Sequence, residues 1–178
     1  VTPVVPSQGS VGASGDLAPL SHLALVLVGE GKAEFEGEVL SGADALARAG
    51  LEPVILKAKE GLALVNGTQA MGALGVMTLN EAERIGVAAD MAASLTMEAL
   101  QGIIDAFDPE LLAVRPHAEI QDVGARMRYF LNGSKRVTRQ GELRMQDAYS
   151  LRCIPQVHAA SWQSFKHAEQ VVHVEANA

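Results

Sequence analysis

Two stretches of the chain concentrate side chains able to do chemistry. The first reads Gly9-Ser10-Val11-Gly12-Ala13-Ser14-Gly15-Asp16-Leu17-Ala18-Pro19-Leu20-Ser21-His22. From residue types alone it is a glycine-rich turn running into a helix, with Ser14 or Asp16 as the cap. The second reads Gln146-Asp147-Ala148-Tyr149-Ser150-Leu151-Arg152-Cys153-Ile154-Pro155-Gln156-Val157. Gln146, Tyr149 and Arg152 recur every three residues, so a local helical turn points all of them to one side, before Pro155 disfavours helix at Ile154. An amide, a phenol and a planar guanidinium on one face make a binding surface. The local alternative is an exposed Arg and a core Tyr at helical spacing.

Other short patterns fail on register. Gly9, Gly12 and Gly15 lack the preceding strand and spacing of a dinucleotide fingerprint. Gly29-Glu30-Gly31-Lys32 resembles a phosphate loop, yet Val26 stands where its first Gly belongs and Ala33 where Ser or Thr belongs. The five histidines form no His-Glu-x-x-His arrangement and Cys153 is the single cysteine, so no metal is expected. Asn66-Gly67-Thr68 and Asn132-Gly133-Ser134 match the glycosylation tripeptide but read as turns and helix starts.

The elements that must position these residues are mostly helical. Leu17, Leu20, Leu23, Ala24, Leu27 and Val28 give helical spacing from Asp16 to Val28. Lys32 to Leu40 alternates weakly and turns at Gly37, a small hairpin. Ser41 to Ala49 fits a short helix closed by Gly50, Pro53 marks a turn, and helix returns near Ala58. No proline lies between Pro53 and Pro109, which predicts one long helix over Thr68–Phe107, weakened at Gly72, Gly75 and Gly86. At 1.5 Å per residue it would extend roughly 60 Å, longer than a globule of this size, so it either breaks or kinks at one of these glycines or lies along partner helices from outside this chain. Further helices are expected at Glu119–Leu131 and Gln156–Asn177, with residues 132–140 an exposed loop. Aromatic residues make up only 4% of the chain, so small and aliphatic side chains must close the core by close helix packing.

Composition narrows the function classes. With 178 residues, 48% apolar and 20% charged, the chain has the makeup of a folded domain. Its 21 acidic against 14 basic residues leave a net charge of −7, which repels phosphate backbones and argues against nucleic acid. The longest uninterrupted apolar run, Leu23 to Val28, is too short to span a bilayer, so no membrane is expected. One cysteine fits a reducing compartment, and the cytoplasm is expected. Val1-Thr2-Pro3-Val4-Val5-Pro6 carries no start signal and Val171 to Ala178 reads as unfinished helix, so both ends are expected to be cuts in a longer chain.

The run through Ala13-Ser14-Gly15-Asp16 resembles the signature of the histidine and aromatic amino acid ammonia-lyases around their self-made electrophile. The Gln146–Val157 stretch resembles that family's other internal signature, and Leu62-Ala63-Leu64-Val65-Asn66-Gly67-Thr68-Gln69 resembles a third segment. The resemblance covers essentially the whole chain. It implies a mainly α fold, with the long helices of a helical-bundle ammonia-lyase (fumarase/aspartase-like) and at most one small β-hairpin. Residues 1–178 are then one internal fragment of the central lyase domain. Residues 1–58 would hold the electrophile loop, helix and hairpin, 59–131 the long bundle helices, and 132–178 a loop, the substrate-binding turn and a truncated helix.

The resemblance further implies a 4-methylidene-imidazol-5-one (MIO) ring made from Ala13, Ser14 and Gly15, without metal. Gly15 would present an unhindered backbone nitrogen, Ser14 the hydroxyl that is eliminated, and Asp16 support for the dehydration. Tyr149 would act at the reacting amine or ring, Arg152 on the substrate carboxylate, Gln146 on its neighbours, and Asn66 beside the electrophile. The local flavour of Tyr149-Ser150-Leu151-Arg152-Cys153 points to the histidine branch: elimination of ammonia from L-histidine to give urocanate. The resemblance also implies a homotetramer whose active sites are shared between subunits, with a catalytic Tyr, a substrate-site His and an acidic residue in other parts of the full-length protein. The fragment alone is then inactive. The alternatives are a tyrosine or phenylalanine ammonia-lyase or aminomutase, or a non-catalytic helical packing module.

Overall fold

The computed structural model describes residues Val1–Ala178. It divides into two compact units, Val1–Gly75 and Val76–Asn177. In the first, β2 (Lys32–Phe35) and β3 (Glu38–Ser41) pair antiparallel with Phe35 opposite Glu38. Glu36 and Gly37 between them have φ of 51° and 82°. Two consecutive residues in the left-handed region are what a two-residue hairpin turn needs to match the twist of its strands. The hairpin is joined by β1 (Thr2–Pro3), whose two residues pair with Glu34 and Ala33. So short a strand carries no alternation, which is why the sequence showed only the hairpin.

Helix α1 (Leu17–Leu27) buries Leu20 and Val26. Helix α2 (Gly42–Arg48) starts at Ser41, whose Oγ accepts the Asp44 N–H at 3.2 Å, and Gly50 turns the chain away at φ 71°. Val26, Ala33 and Ala45 form a small core, with Phe35 and Leu40 packed on it. Helix α3 (Glu60–Val65) packs against α1. Bends at Asn66–Thr68 then separate it from α4 (Gln69–Ala99), within which the unit boundary falls.

Helix α4 runs unbroken through Gly72, Gly75 and Gly86, but its 31 residues stop well short of Phe107. The reason is tertiary. The Ile104 N–H donates to the Thr138 carbonyl at 3.0 Å and the Thr138 N–H to the Gly102 carbonyl at 2.9 Å. Backbone groups that would have continued the helix are thus satisfied by a segment far along the chain. Gln101 turns left-handed at φ 52°, and a 3₁₀ turn, Ile104–Phe107, follows. Residues 132–140 form the expected loop, mostly exposed, but the same pairing buries Thr138 within it.

By length and composition the helical stretch Glu60–Ala99 could cross a membrane, although polar residues and glycines break its apolar runs into short pieces. Here it is interrupted by the bends at Asn66–Thr68 and carries Glu81, Glu83, Arg84 and Asp90 in its second half. Met71, Leu74, Met77, Ile85 and Leu95 leave it with an exposed apolar face.

In the second unit, α5 (Pro109–Ala113) is capped by Asp108, whose Oδ1 accepts from Glu110 N at 2.8 Å and Leu111 N at 3.2 Å. Helix α6 (Ala118–Phe130) packs along α8 (Ile154–Ala176). Met97, Phe107, Val123, Met127, Leu131, Leu151, Ile154 and Ala159 close the core between the elements. Pro155 does not exclude Ile154 from helix, contrary to expectation. It sits in the first turn of α8, where its missing N–H would have had no helical partner.

One charged group is fully buried in this unit. Asp90 of α4 takes the Arg126 Nε at 2.6 Å on one oxygen and meets His158 Nδ1 at 2.6 Å with the other. Arg126 Nη2 is buried with no hydrogen-bond partner, but its guanidinium lies over the Trp162 ring at 4.6 Å. The ring face supplies part of what a missing acceptor would have given.

Candidate active site

Ala13-Ser14-Gly15 occupies the tip of a closed loop. The Leu17 N–H donates to the Val11 carbonyl at 2.8 Å, and Gly12 pairs antiparallel with Asp16. Within the tip the Ala13 N–H donates to the Gly15 carbonyl at 3.0 Å. Ser14 has φ 52° and Gly15 φ 104°, so two successive residues lie in the left-handed half of conformational space. That is costly for Ser14 and open to Gly15 because it has no Cβ.

Asp16 stands at the N-cap position of α1, but its carboxylate makes no capping hydrogen bond, and Ser14 makes none either. The capping expectation is corrected for a definite reason: the carboxylate turns back into the loop. Its Oδ2 accepts from the Ser10 hydroxyl at 2.7 Å and its Oδ1 from the Val11 N–H at 2.8 Å. The Ser10 hydroxyl and then the Val11 amide hold the Asp16 carboxyl below its ordinary range. Asp16 therefore stays ionised and ties both arms of the loop together.

Asn66 follows α3 at its C-terminal end, and Gly67 comes next. A Cβ built on Gly15 would lie 1.6 Å from the Gly67 carbonyl oxygen. The structure thus brings Ala13-Ser14-Gly15 against the Asn66-Gly67 turn, two segments that sequence reading had selected separately. Only glycine fits at position 15, on conformational and steric grounds alike.

The remaining candidates lie in the second unit. Tyr149–Arg152 forms the short helix α7. Arg152 and Gln146 line a cavity of about 490 Å³ together with Asp147, Cys153, Gln156 and Arg115. With its amide oxygen toward Arg152, Gln146 accepts from Nη2 at 2.8 Å and from Nε at 3.1 Å. Tyr149 does not line this cavity. It is 69% exposed, with the Arg152 guanidinium 5.8 Å from its ring centre. The expected single face therefore holds Gln146 and Arg152 together and leaves Tyr149 at its edge.

Three residues that sequence reading did not single out complete these arrangements: Ser10 on the Asp16 carboxylate, Gly67 against Gly15, and Asp147 in the cavity wall. Ser10 and Asp147 sit inside the two motifs, but their roles arise from contacts that no periodicity marks.

The profile of the aromatic amino acid lyases matches residues 1–178. The chain belongs to that family. Among its relatives, the histidine ammonia-lyase of Shouchella clausii (strain KSM-K16) is 57% identical over 178 residues, all of this chain and 36% of the relative. This lyase-family chain thus spans about a third of the length of the curated relatives it matches. Among solved structures, a histidine ammonia-lyase from Trypanosoma cruzi superposes with a TM-score of 0.74 at 38% identity, covering 99% of this chain and 32% of that one. A tyrosine aminomutase from Streptomyces globisporus superposes with a TM-score of 0.81 at 35% identity, covering 100% of this chain and 37% of that one.

Proposed function

We propose that the full-length protein carrying this lyase-family chain eliminates ammonia from L-histidine to give urocanate, without metal, by means of an MIO ring formed from Ala13, Ser14 and Gly15. The substrate assignment rests on the 57% identity to a histidine ammonia-lyase over the whole chain. The residues fit the ring: the loop tip is already folded back on itself, and Gly15 has no side chain to obstruct the Gly67 carbonyl. In its formation the Gly15 nitrogen bonds to the Ala13 carbonyl carbon. The Ala13 oxygen leaves as one water and the Ser14 hydroxyl as a second. When present, the ring supplies an electron-poor centre that ordinary side chains, which are nucleophiles, acids or bases, do not offer.

The chain's own residues do the rest. Asp16 fixes the loop and supports dehydration of Ser14. Asn66 borders the ring position through its neighbour Gly67. Arg152 receives the substrate carboxylate through paired N–H donors, a geometry that a point charge cannot reproduce. Gln146 keeps the guanidinium in place by accepting from its Nε and Nη2 edge. Tyr149 acts at the reacting amine.

The exposed apolar face of α4 and the exposure of Tyr149 support a homotetramer with active sites shared between subunits. The 178-residue chain alone is then inactive, and the assembly works in the cytoplasm. A second reading, tyrosine or phenylalanine lyase or aminomutase, is favoured by the tyrosine aminomutase superposition. Assaying the full-length protein with L-histidine, L-tyrosine and L-phenylalanine separates the two. Release of urocanate and ammonia from histidine alone is expected, and turnover of tyrosine or phenylalanine in its place would overturn the substrate assignment.

A further inference from the structure

Asp147 is nearly inaccessible, its side chain 1% exposed, yet it is fully engaged. Its Oδ2 accepts the Ile103 N–H at 2.5 Å. Its Oδ1 accepts from Arg144 Nη1 at 2.7 Å. The same Arg144 reaches the end of α4, where Nη2 donates to the Leu100 carbonyl at 2.8 Å. The backbone carbonyl of Asp147 in turn accepts from Arg152 Nε at 3.1 Å. One buried residue therefore joins the C-terminal end of α4, the stretch that carries Gln146, and the guanidinium in the 490 Å³ cavity.

We propose that Asp147 is a positioning residue for Arg152, with Arg144 as its partner; this rests on the reading of Arg152 as the carboxylate-binding group. Arg152 lies at the end of a helix of only four residues, which cannot hold a long side chain by itself. Its orientation depends on what its Nε meets. The Asp147 carbonyl and the Gln146 amide take the Nε side, which leaves the Nη1 side of the fork for a ligand carboxylate. Because the Asp147 carboxylate rests on the Ile103 N–H and is clamped there by the Arg144 guanidinium, the carbonyl that holds Nε cannot drift while that clamp is in place. Without that anchor the guanidinium keeps its charge but loses its aim. The loss then falls on ligands that carry a carboxylate and spares those that do not.

The test uses the full-length protein with Asp147→Asn and, as a milder change at a more accessible position, Arg144→Gln. Asp147→Asn keeps an acceptor for the Ile103 N–H while removing the charge that holds Arg144. For each variant KM and kcat are measured with L-histidine, and inhibition with L-histidinol, which has a hydroxymethyl group in place of the carboxylate. KM for histidine is expected to rise about tenfold with kcat much less affected, as expected for a displaced positioning group. Inhibition by histidinol and the unfolding midpoint of Arg144→Gln are expected to stay close to those of the unaltered protein. Equal weakening of both ligands, or an unchanged KM in a folded variant, would overturn the proposal.

If the unaltered protein turns over tyrosine or phenylalanine instead, the same comparison is made with that acid and its amino alcohol. A wrong substrate and a wrong positioning residue are then separate results. No turnover of any of the three acids would overturn the lyase reading and this proposal with it.

Discussion

The Cα of Gly15 stands so close to the Gly67 carbonyl that a Cβ at position 15 would lie 1.6 Å from its oxygen. This contact joins the loop tip to the Asn66-Gly67 turn, and makes the absence of a side chain at 15 a requirement of the fold.

Gly15→Ala should therefore abolish ring formation. The added methyl group collides with backbone, and φ 104° is strained for alanine, at a cost of about 1–3 kcal/mol before the clash is counted. Intact mass of the full-length variant should show no loss of two waters, with no histidine turnover. A variant that loses both waters would show that the contact does not constrain the loop.

Acid should loosen the loop through Asp16. Because the folded carboxyl titrates below its ordinary value of 3.8, its contribution to stability is fully present above that value and is lost as pH falls through the lowered one. The amide resonance of Val11 should report this transition at a pH below 3.8. Asp16→Asn should remove the transition and slow dehydration after synthesis, read as a longer-lived fraction of unmodified mass. A Val11 amide that titrates at the ordinary carboxylate value would contradict the assignment.

Arg152→Lys should raise KM for histidine by about tenfold or more, since an ammonium replaces a two-pronged donor and loses hydrogen bonds worth about 1.5–3 kcal/mol. Steady-state kinetics on the full-length protein decide it. Unchanged kinetics would remove Arg152 from the site.

Asp90→Ala should destabilise the second unit by about 3–5 kcal/mol, because Arg126 would keep its charge in a mostly buried position without its carboxylate. The measurement is the denaturant midpoint. A shift equivalent to less than 1 kcal/mol, the range of surface pairs, would show that the pair is solvated in solution.

The sequence made the local elements legible wherever a short-range signal existed. The α1 helix, the hairpin about Gly37 and the Ser41 and Gly50 ends of α2 all appear as read, although α1 buries Leu20 and Val26 and leaves Leu23 and Leu27 exposed. What escaped was long-range. Near Ala99 only Gln101-Gly102 marks the end of α4, where the Gly102 N–H closes back on the Met97 carbonyl at 2.8 Å; the pairing with Thr138 comes from nearly forty positions away. Asp16 looked like a cap because it has the right type and place, yet the nearby Ser10 hydroxyl and Val11 amide claim its carboxylate. Pro155 reads locally as a barrier to helix at Ile154, yet it falls in the first turn of α8, where a helix accepts proline. At the site, Ala13-Ser14-Gly15 and Asn66 were legible as motifs, but their meeting at Gly67 could only come from the fold.

The central claim is that Ser14 loses its hydroxyl to make the reacting group. Comparing the full-length protein with its Ser14→Ala form, by intact mass and by urocanate release from L-histidine, tests it most directly. The unaltered protein should be two waters lighter than its sequence, with the deficit mapping to residues 13–15, and Ser14→Ala should retain both waters and lose nearly all turnover. A Ser14→Ala protein that deaminates histidine at the original rate would contradict the account.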